Sequence, residues 1–289
     1  MTLSYAPELS QEPFMLARHG QSKFNADELS QGRGEDEPGN PNGLTDDGVS
    51  QIERAVGAFA AAQMRIDYVG TSELTRAIES GALLAKAVSP KPVLLGQIPG
   101  IKELSQAGWE RKYSRDQAKA FRTTRVRRVQ KELLAHGLHE DLAGLVPWIT
   151  PYGNGESPLG GALRGIVALE IYRPKPRELI VAHAMLNRYM EAVATRTTIT
   201  HRQELDDLLP DISSAGGIAV IEALHDAGIP DFTAADHVRN RHAHGAATEY
   251  TVSRIGVWTA HRRIEPPESP DGPPYVEHRR TPEGLWEKR

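Results

Sequence analysis

Short apolar runs that stop at polar residues alternate, along most of this chain, with longer stretches of helical spacing. Phe14-Met15-Leu16-Ala17 is the first such run, read as a buried strand, and it passes straight into Arg18-His19-Gly20. Residues 21–44 are rich in Gly, Asn, Pro and acids and read as loop. Thr45 suits an N-cap with Asp46 and Asp47 in the first turn, and Ile52, Val56, Phe59, Ala60 and Met64 follow at helical spacing. Tyr68-Val69-Gly70-Thr71 reads as a second strand. A helix capped by Thr71 or Ser72 then runs to about Val88, and residues 92–95 form a third, short strand.

Residues 100–109 show no clean period, whereas 113–135 read as a helix with one very basic side. Pro147, Pro151, Pro158 and several glycines make 136–160 an irregular insertion. Residues 163–171 are helical. Glu178-Leu179-Ile180-Val181-Ala182 is a buried strand ending at His183, and a helix follows from about Met185 to Thr195. Residues 217–222 and 249–259 read as further strands, and the chain from Glu265 on, rich in Pro and charge, as an extended or disordered surface tail. Strands alternating with helices argue for an α/β three-layer sandwich, a mostly parallel central sheet flanked by helices. The expected organisation is one domain over 1–264, with a helical and irregular cap insertion at about 111–160, and a tail over 265–289.

Composition narrows the function more than the fold. With 39% hydrophobic and 25% charged residues in 289, the chain can bury a core without staples. A net charge of −4 gives no general pull toward nucleic acid or an anionic membrane, so neither is an expected partner. The absence of cysteine removes disulfides, thiol nucleophiles and zinc-thiolate sites, and fits a cytoplasmic protein. The first thirteen residues do not resemble a signal peptide, and no apolar run approaches membrane-spanning length.

Three places carry candidate chemistry. The first strand delivers Arg18 and His19 side by side at its C-terminal end, the edge at which open α/β sheets bind ligands, and Gly20 lets the backbone turn there. His183 ends another apolar strand in the same way. Arg76 stands near a helix start that follows a strand, and both features favour phosphate.

Together these segments resemble the histidine phosphatase superfamily, which includes phosphoglycerate mutase. Arg18-His19-Gly20-Gln21-Ser22 matches its Arg-His-Gly signature, and Asn25 stands where the family has a phosphate-contacting Asn. Leu44-Thr45-Asp46-Asp47-Gly48 resembles its Leu-Thr-Glu-x-Gly helix start, and Ser72-Glu73-Leu74-Thr75-Arg76-Ala77 its Ser-x-Leu-x-Arg-Ala segment. Glu103 with Leu104-Ser105-Gln106-Ala107-Gly108-Trp109-Glu110 resembles the acid loop, and Ile180-Val181-Ala182-His183 the strand bearing the second His. The motifs keep the family's order over residues 14–222. Ala184 replaces the family's usual Gly, and Glu79-Ser80 its commoner Gln-Thr. Residues 111–160 and those after about 222 match no motif.

The resemblance implies a phosphomonoesterase acting on a small phosphorylated metabolite, of sugar phosphate or nucleoside monophosphate type. His19 would attack phosphorus and form a phosphohistidine, Arg18 and Arg76 would hold the phosphoryl oxygens, and His183, Asn25 and the Ala184 backbone would add contacts. Glu103 would be the acid and then the base, a role for which a raised pKa is needed, with Glu110 the alternative. No cofactor and no metal are expected, since the arginines and histidines supply the positive charge. Two alternatives remain. Mutases of this family carry Arg-His-Tyr-Gly after the catalytic Glu, where this chain has Leu104-Ser105-Gln106-Ala107-Gly108, which favours the phosphatase branch. A non-catalytic phospho-ligand-binding relative would be marked by loss of the nucleophile or an arginine, and neither is lost.

Other features have plainer readings. The run Arg111, Lys112, Arg115, Lys119, Arg122, Arg125, Arg127, Arg128, Lys131 reads as a solvated helix face, or as a cap contacting a second anionic group. Trp109, Trp148 and Tyr152 read as packing residues. Asp236, His237, His242 and His244 have no spacing that suggests a metal site. Substrate identity and oligomeric state are left open, a homodimer included.

Overall fold

The computed structural model describes residues 13–32, 42–210, 214–232, 243–267, 273–280 and 286–288. Its strands are β1 (Phe14–Arg18), β2 (Tyr68–Thr71), β3 (Val93–Gln97), β4 (Glu178–Ala182), β5 (Ala247–Val252), β6 (Trp258–Glu265), β7 (Val276–Arg280) and β8 (Trp286–Lys288). They form one sheet in the order β3-β2-β4-β1-β5-β6-β7-β8. The first four are parallel to their neighbours, and from β5 onward every pairing is antiparallel. The sheet is therefore parallel in only one half. The reason is connection length. Helical crossovers separate β1, β2, β3 and β4, whereas β5 and β6 are joined by a tight turn that can only reverse direction.

Alternation along β1 builds a core on each face. Met15 and Ala17 pack with Ile52, Ala55 and Phe59 of α2 (Asp46–Ala61) and with Ala77 and Leu84 of α3 (Thr75–Ala87). Phe14 and Leu16 face the opposite layer of α4 (Arg115–Ala135), α5 (Val146–Ile149), α6 (Pro158–Tyr172), α7 (Ala184–Ala194), α8 (Ile199–Leu208) and α9 (Ser214–Asp226). That period of two, with helices on both faces, is the three-layer arrangement expected.

Several elements differ from the sequence reading. Residues 217–222 are helical, within α9, and Gly217, Val220, Ile221 and Leu224 are buried at helical spacing. The apolar run was too short to reveal its period. The single strand expected over 249–259 is two, β5 and β6, broken by the turn at Gly256, whose φ of 82° is left-handed. The α8 helix was not anticipated. The extended tail adds β7 and β8 to the sheet edge, where Trp286 is anchored by Glu191 of α7. Helix α3 begins at Thr75, later than expected, and Ser72 is left to the site described next.

The basic run divides by position. Arg122 lies 4.3 Å from the Tyr152 ring and 4.6 Å from the Phe232 ring and donates to the Pro147 carbonyl, and Arg125 donates to the Gly153 carbonyl. These two pin α4 to the insertion. Lys112, Lys119, Arg127, Arg128 and Lys131 are exposed. Trp148 is fully buried with its indole N–H on the Pro230 carbonyl, a packing role as expected. Asp236, His237 and His242 lie outside the described residues. Among the described residues no helix is long and apolar enough to cross a membrane.

Candidate active site

Register alone brings the two predicted histidines together. Arg18 pairs with Ala182 in the parallel β1–β4 ladder, so His19 and His183 leave the sheet side by side. The His19 N–H continues the ladder to the Ala182 carbonyl, at 3.2 Å. The two rings lie 5.2 Å apart, centroid to centroid, and both residues are buried.

The hydrogen bonds of His19 define its tautomer. Nδ1 is 2.6 Å from the Gly20 carbonyl, which can only accept, so Nδ1 carries the proton. Nε2 then holds the lone pair, and Arg76 donates to it from Nε at 3.2 Å. Burial first, then Arg76, His183 and Arg18, hold the His19 imidazole well below the usual histidine range. The ring is neutral, with the lone pair of Nε2 turned toward Arg76.

The loop that carries His19 is tightly braced. The Gly20 N–H donates to Ser80 Oγ, and Ser80 in turn donates to the Arg76 carbonyl, tying the nucleophile's loop to the helix that bears the arginine. A Cβ on Gly20 would stand 2.4 Å from the Gly48 carbonyl oxygen, so only glycine fits against the start of α2. Thr45 caps α2 by accepting from the Gly48 N–H and binds the Gln21 side chain.

His183 is positioned by β2. Ser72 follows that strand, its N–H donates to the Val181 carbonyl, and its Oγ lies 2.8 Å from His183 Nε2. The other ring nitrogen, Nδ1, is buried with no hydrogen-bond partner among the described residues. Burial, Arg76, Arg164 and Arg18 lower the His183 pKa well below the usual value. Ala184 opens α7 immediately after it, so a backbone N–H at a helix N-terminus faces the same region.

Arg18 is half-buried, and its pKa falls to about 9 through burial and then through repulsion from Arg188, with Glu103 opposing. Arg115 and Arg76 add to that repulsion, so several guanidinium groups converge on one place. Glu103 is buried at the start of α7. Its Oε1 accepts from the Leu104 and Leu186 N–H groups, each at 3.0 Å, and its Oε2 from the Met185 N–H at 3.3 Å. Glu110 is set differently: its Oε1 accepts from the Gln106 N–H. It lines an open cleft with Phe24, Gln31, Gly32, Asn42, Arg76 and Arg111. Asn25 lies in the single-turn helix α1 (Lys23–Ala26), where its Oδ1 accepts from the Ser22 backbone and hydroxyl. Its Nδ2 is the atom it could offer to a ligand.

The structure thus groups His19, Arg18, Arg76, His183, Ala184 and Glu103 at one edge of the sheet. It adds residues that the sequence reading did not count among the catalytic and phosphate-binding groups. Ser72 and Ser80 support the histidine and the loop, and Arg188 lies on the first turns of α7. Arg115, at the start of α4, reaches the Asn25 carbonyl at 2.8 Å. His244 stands beside His19, their ring centroids 6.2 Å apart. The only sequence signal for His244 is a His-Gly pair just before a strand, and it has meaning only once that strand is known to be antiparallel to β1. Among the described residues no group of three or more His, Cys, Asp or Glu side chains is placed to hold a metal ion.

The model of the histidine phosphatase superfamily (branch 1) matches residues 14–207. No curated protein matches the chain. Solved structures show the same fold at low identity. The "Mycobacterial hydrolase 1" structure has a TM-score of 0.51 and 14% identity, over 86% of this chain and 96% of its own. The alpha-ribazole phosphatase from Shigella flexneri scores 0.50 with 19% identity, over 86% and 94%. The phosphoglycerate mutase from Bacillus anthracis scores 0.50 with 16% identity, over 86% and 91%.

Proposed function

This chain belongs to the histidine phosphatase superfamily, and we propose that it hydrolyses phosphate monoesters of small metabolites through a phosphohistidine on His19. One observation carries the reading. A buried imidazole has its Nδ1–H fixed on its own loop carbonyl, its Nε2 lone pair held by an arginine, and a second histidine beside it at the same sheet edge.

The chemistry follows from the geometry. A phosphate monoester resists attack because it is anionic, so catalysis rests on positioning and charge stabilisation. The substrate dianion draws the Arg76 guanidinium from Nε2 onto the phosphoryl oxygens, where Arg18 joins it. Nε2 attacks phosphorus in line, a P–N bond forms, and the P–O ester bond breaks. The Gly20 carbonyl, already on Nδ1–H, stabilises the positive charge that the ring acquires. His183 takes its proton on Nδ1, with Nε2 accepting from Ser72, and donates to a phosphoryl oxygen. The Ala184 N–H at the start of α7 and the Asn25 amide complete the cradle.

Glu103 supplies the leaving alkoxide with a proton. Its Oε2, with only the longer backbone bond, is the oxygen suited to carry it. The same oxygen then takes a proton from the water that attacks phosphorus, the P–N bond breaks, and phosphate leaves. Glu103 acts electrostatically on Arg18, one of the phosphoryl-holding arginines, which favours it over Glu110 for this role.

The test is phosphate release from a panel of phosphorylated metabolites, with an alkaline-quench trap for phosphohistidine, whose P–N bond survives base but not acid, in wild type and in His19→Ala. Release with a trapped intermediate, both lost in the variant, is the expected result. Near-normal turnover by His19→Ala would sink the phosphohistidine proposal, and a phosphate shift within a substrate without release would point to a mutase.

A further inference from the structure

A third imidazole stands beside the nucleophile, and the reaction above leaves it idle. The His244 ring centroid is 6.2 Å from that of His19, with the planes at 54°. Its position is set by the sheet. Because β5 runs antiparallel to β1, the residues that precede β5 arrive where β1 ends. The Arg18 N–H donates to the Ala246 carbonyl and the Gly245 N–H to the Arg18 carbonyl, both at 3.0 Å, so the backbone on either side of the nucleophile's strand end is clamped. Gly245 holds the turn with a left-handed φ of 78°, and a Cβ there would stand 2.9 Å from that of Ala55.

The environment of the ring indicates what it waits for. His244 Nε2 is buried with no hydrogen-bond partner among the described residues. A buried polar atom without a partner is costly, and a ligand that enters the site is the partner that removes the cost. Burial, Arg18 and Arg115 hold the ring neutral, with its pKa down at about 3. A neutral ring has one N–H to give, and between two guanidinium groups the group that can receive it is an anionic oxygen. We propose that His244 is a third histidine ligand of the phosphoryl group, donating from Nε2 to one of its oxygens. This rests on the phosphatase reading of the site. The contact adds to binding and forms no covalent bond.

Inorganic phosphate is the probe, because it has the phosphoryl oxygens and no leaving group, and its binding by calorimetry needs no turnover. In His244→Ala the affinity for phosphate should fall about ten- to hundredfold, the usual scale for a hydrogen bond to a charged group. His244→Gln, which keeps an N–H donor, should recover part of it. A folded His244→Ala variant with wild-type phosphate affinity overturns the proposal, as does a loss confined to the KM of esters, which would place the contact on the leaving group. If His244→Ala does not fold, the ring signals of isotope-labelled histidines in wild type decide by NMR. Three rings responding to phosphate support the proposal, and a response confined to His19 and His183 overturns it. Phosphate that binds wild type tightly through His244, with no ester hydrolysed, would refute the parent reading alone.

Discussion

Lowering the pH should destabilise this protein by an amount that can be worked out from its site. His19, His183 and His244 all have folded-state pKa values depressed by burial, with Arg18 among the added causes for each. In the unfolded chain each titrates near its ordinary value of about 6.5. Below that value the unfolded chain binds protons that the folded site refuses. Stability therefore rises with pH and is lost as the pH falls through about 6.5. For one histidine kept neutral, the loss from about pH 7.5 to about pH 5.5 integrates to between about 1 and 2 kcal/mol, and for three to about 4 kcal/mol. That is a large part of an ordinary domain's stability of about 5–15 kcal/mol, and amounts to a melting temperature lower by roughly 7 °C. Urea titrations across that range measure it directly. His244→Gln should shrink the loss by about a third, and saturating phosphate should flatten it, since a dianion favours the protonated rings. A loss under about 1 kcal/mol in the wild type would mean that the folded site accepts these protons, and the neutral nucleophile would be refuted.

Glu103→Gln keeps an acceptor for the N–H groups at the start of α7 but cannot donate a carboxyl proton. Esters with poor leaving groups should slow far more than activated aryl phosphates, and equal slowing of both would remove Glu103 as the acid. Ser80→Ala leaves the buried Gly20 N–H without its partner, so stability should fall by about 1–3 kcal/mol in a urea titration, together with kcat. An unchanged kcat there would show that the brace does not position His19. Trp286→Ala removes an indole N–H from buried Glu191 and a ring 4.3 Å from Arg263, which should cost about 2–4 kcal/mol in denaturation while kcat below the melting range is kept. A protein as stable as wild type would show that β8 adds nothing to the fold.

The parts legible in the sequence were those in which one local pattern determines one outcome. The run 14–17 had to be a strand, and because the parallel ladder sets Arg18 against Ala182, the two strand-end histidines had to meet. The Thr45 cap and the strand over 68–71 were equally local. The elements misread had patterns compatible with two structures: residues 217–221 are apolar throughout and fit a strand or a helix until the burial of Leu224 extends the period. His244 was out of reach for a different reason. Its proximity to His19 depends on the direction of β5, a property of the sheet that no window around residue 244 contains. Glu103 was found by motif order, but its bonds to the start of α7 cross 83 residues in one case, and no spacing rule predicts them.

The strand that carries the nucleophile is also a seam. On one side β1 is joined to β4, inside the stretch that the family model covers; on the other it is joined to β5, which lies beyond residue 207 where that match ends. A chain cut at that point would leave the nucleophile's own strand as an open edge, with its backbone groups bare next to the catalytic loop. The same arrangement gives the distal third of the chain direct entry to the proposed reaction centre. A residue placed just ahead of β5 arrives next to His19 without any change in the five family motifs. In the proposed reaction, substrate preference can thus be rewritten from the far end of the chain while the half that carries the family motifs stays as it is.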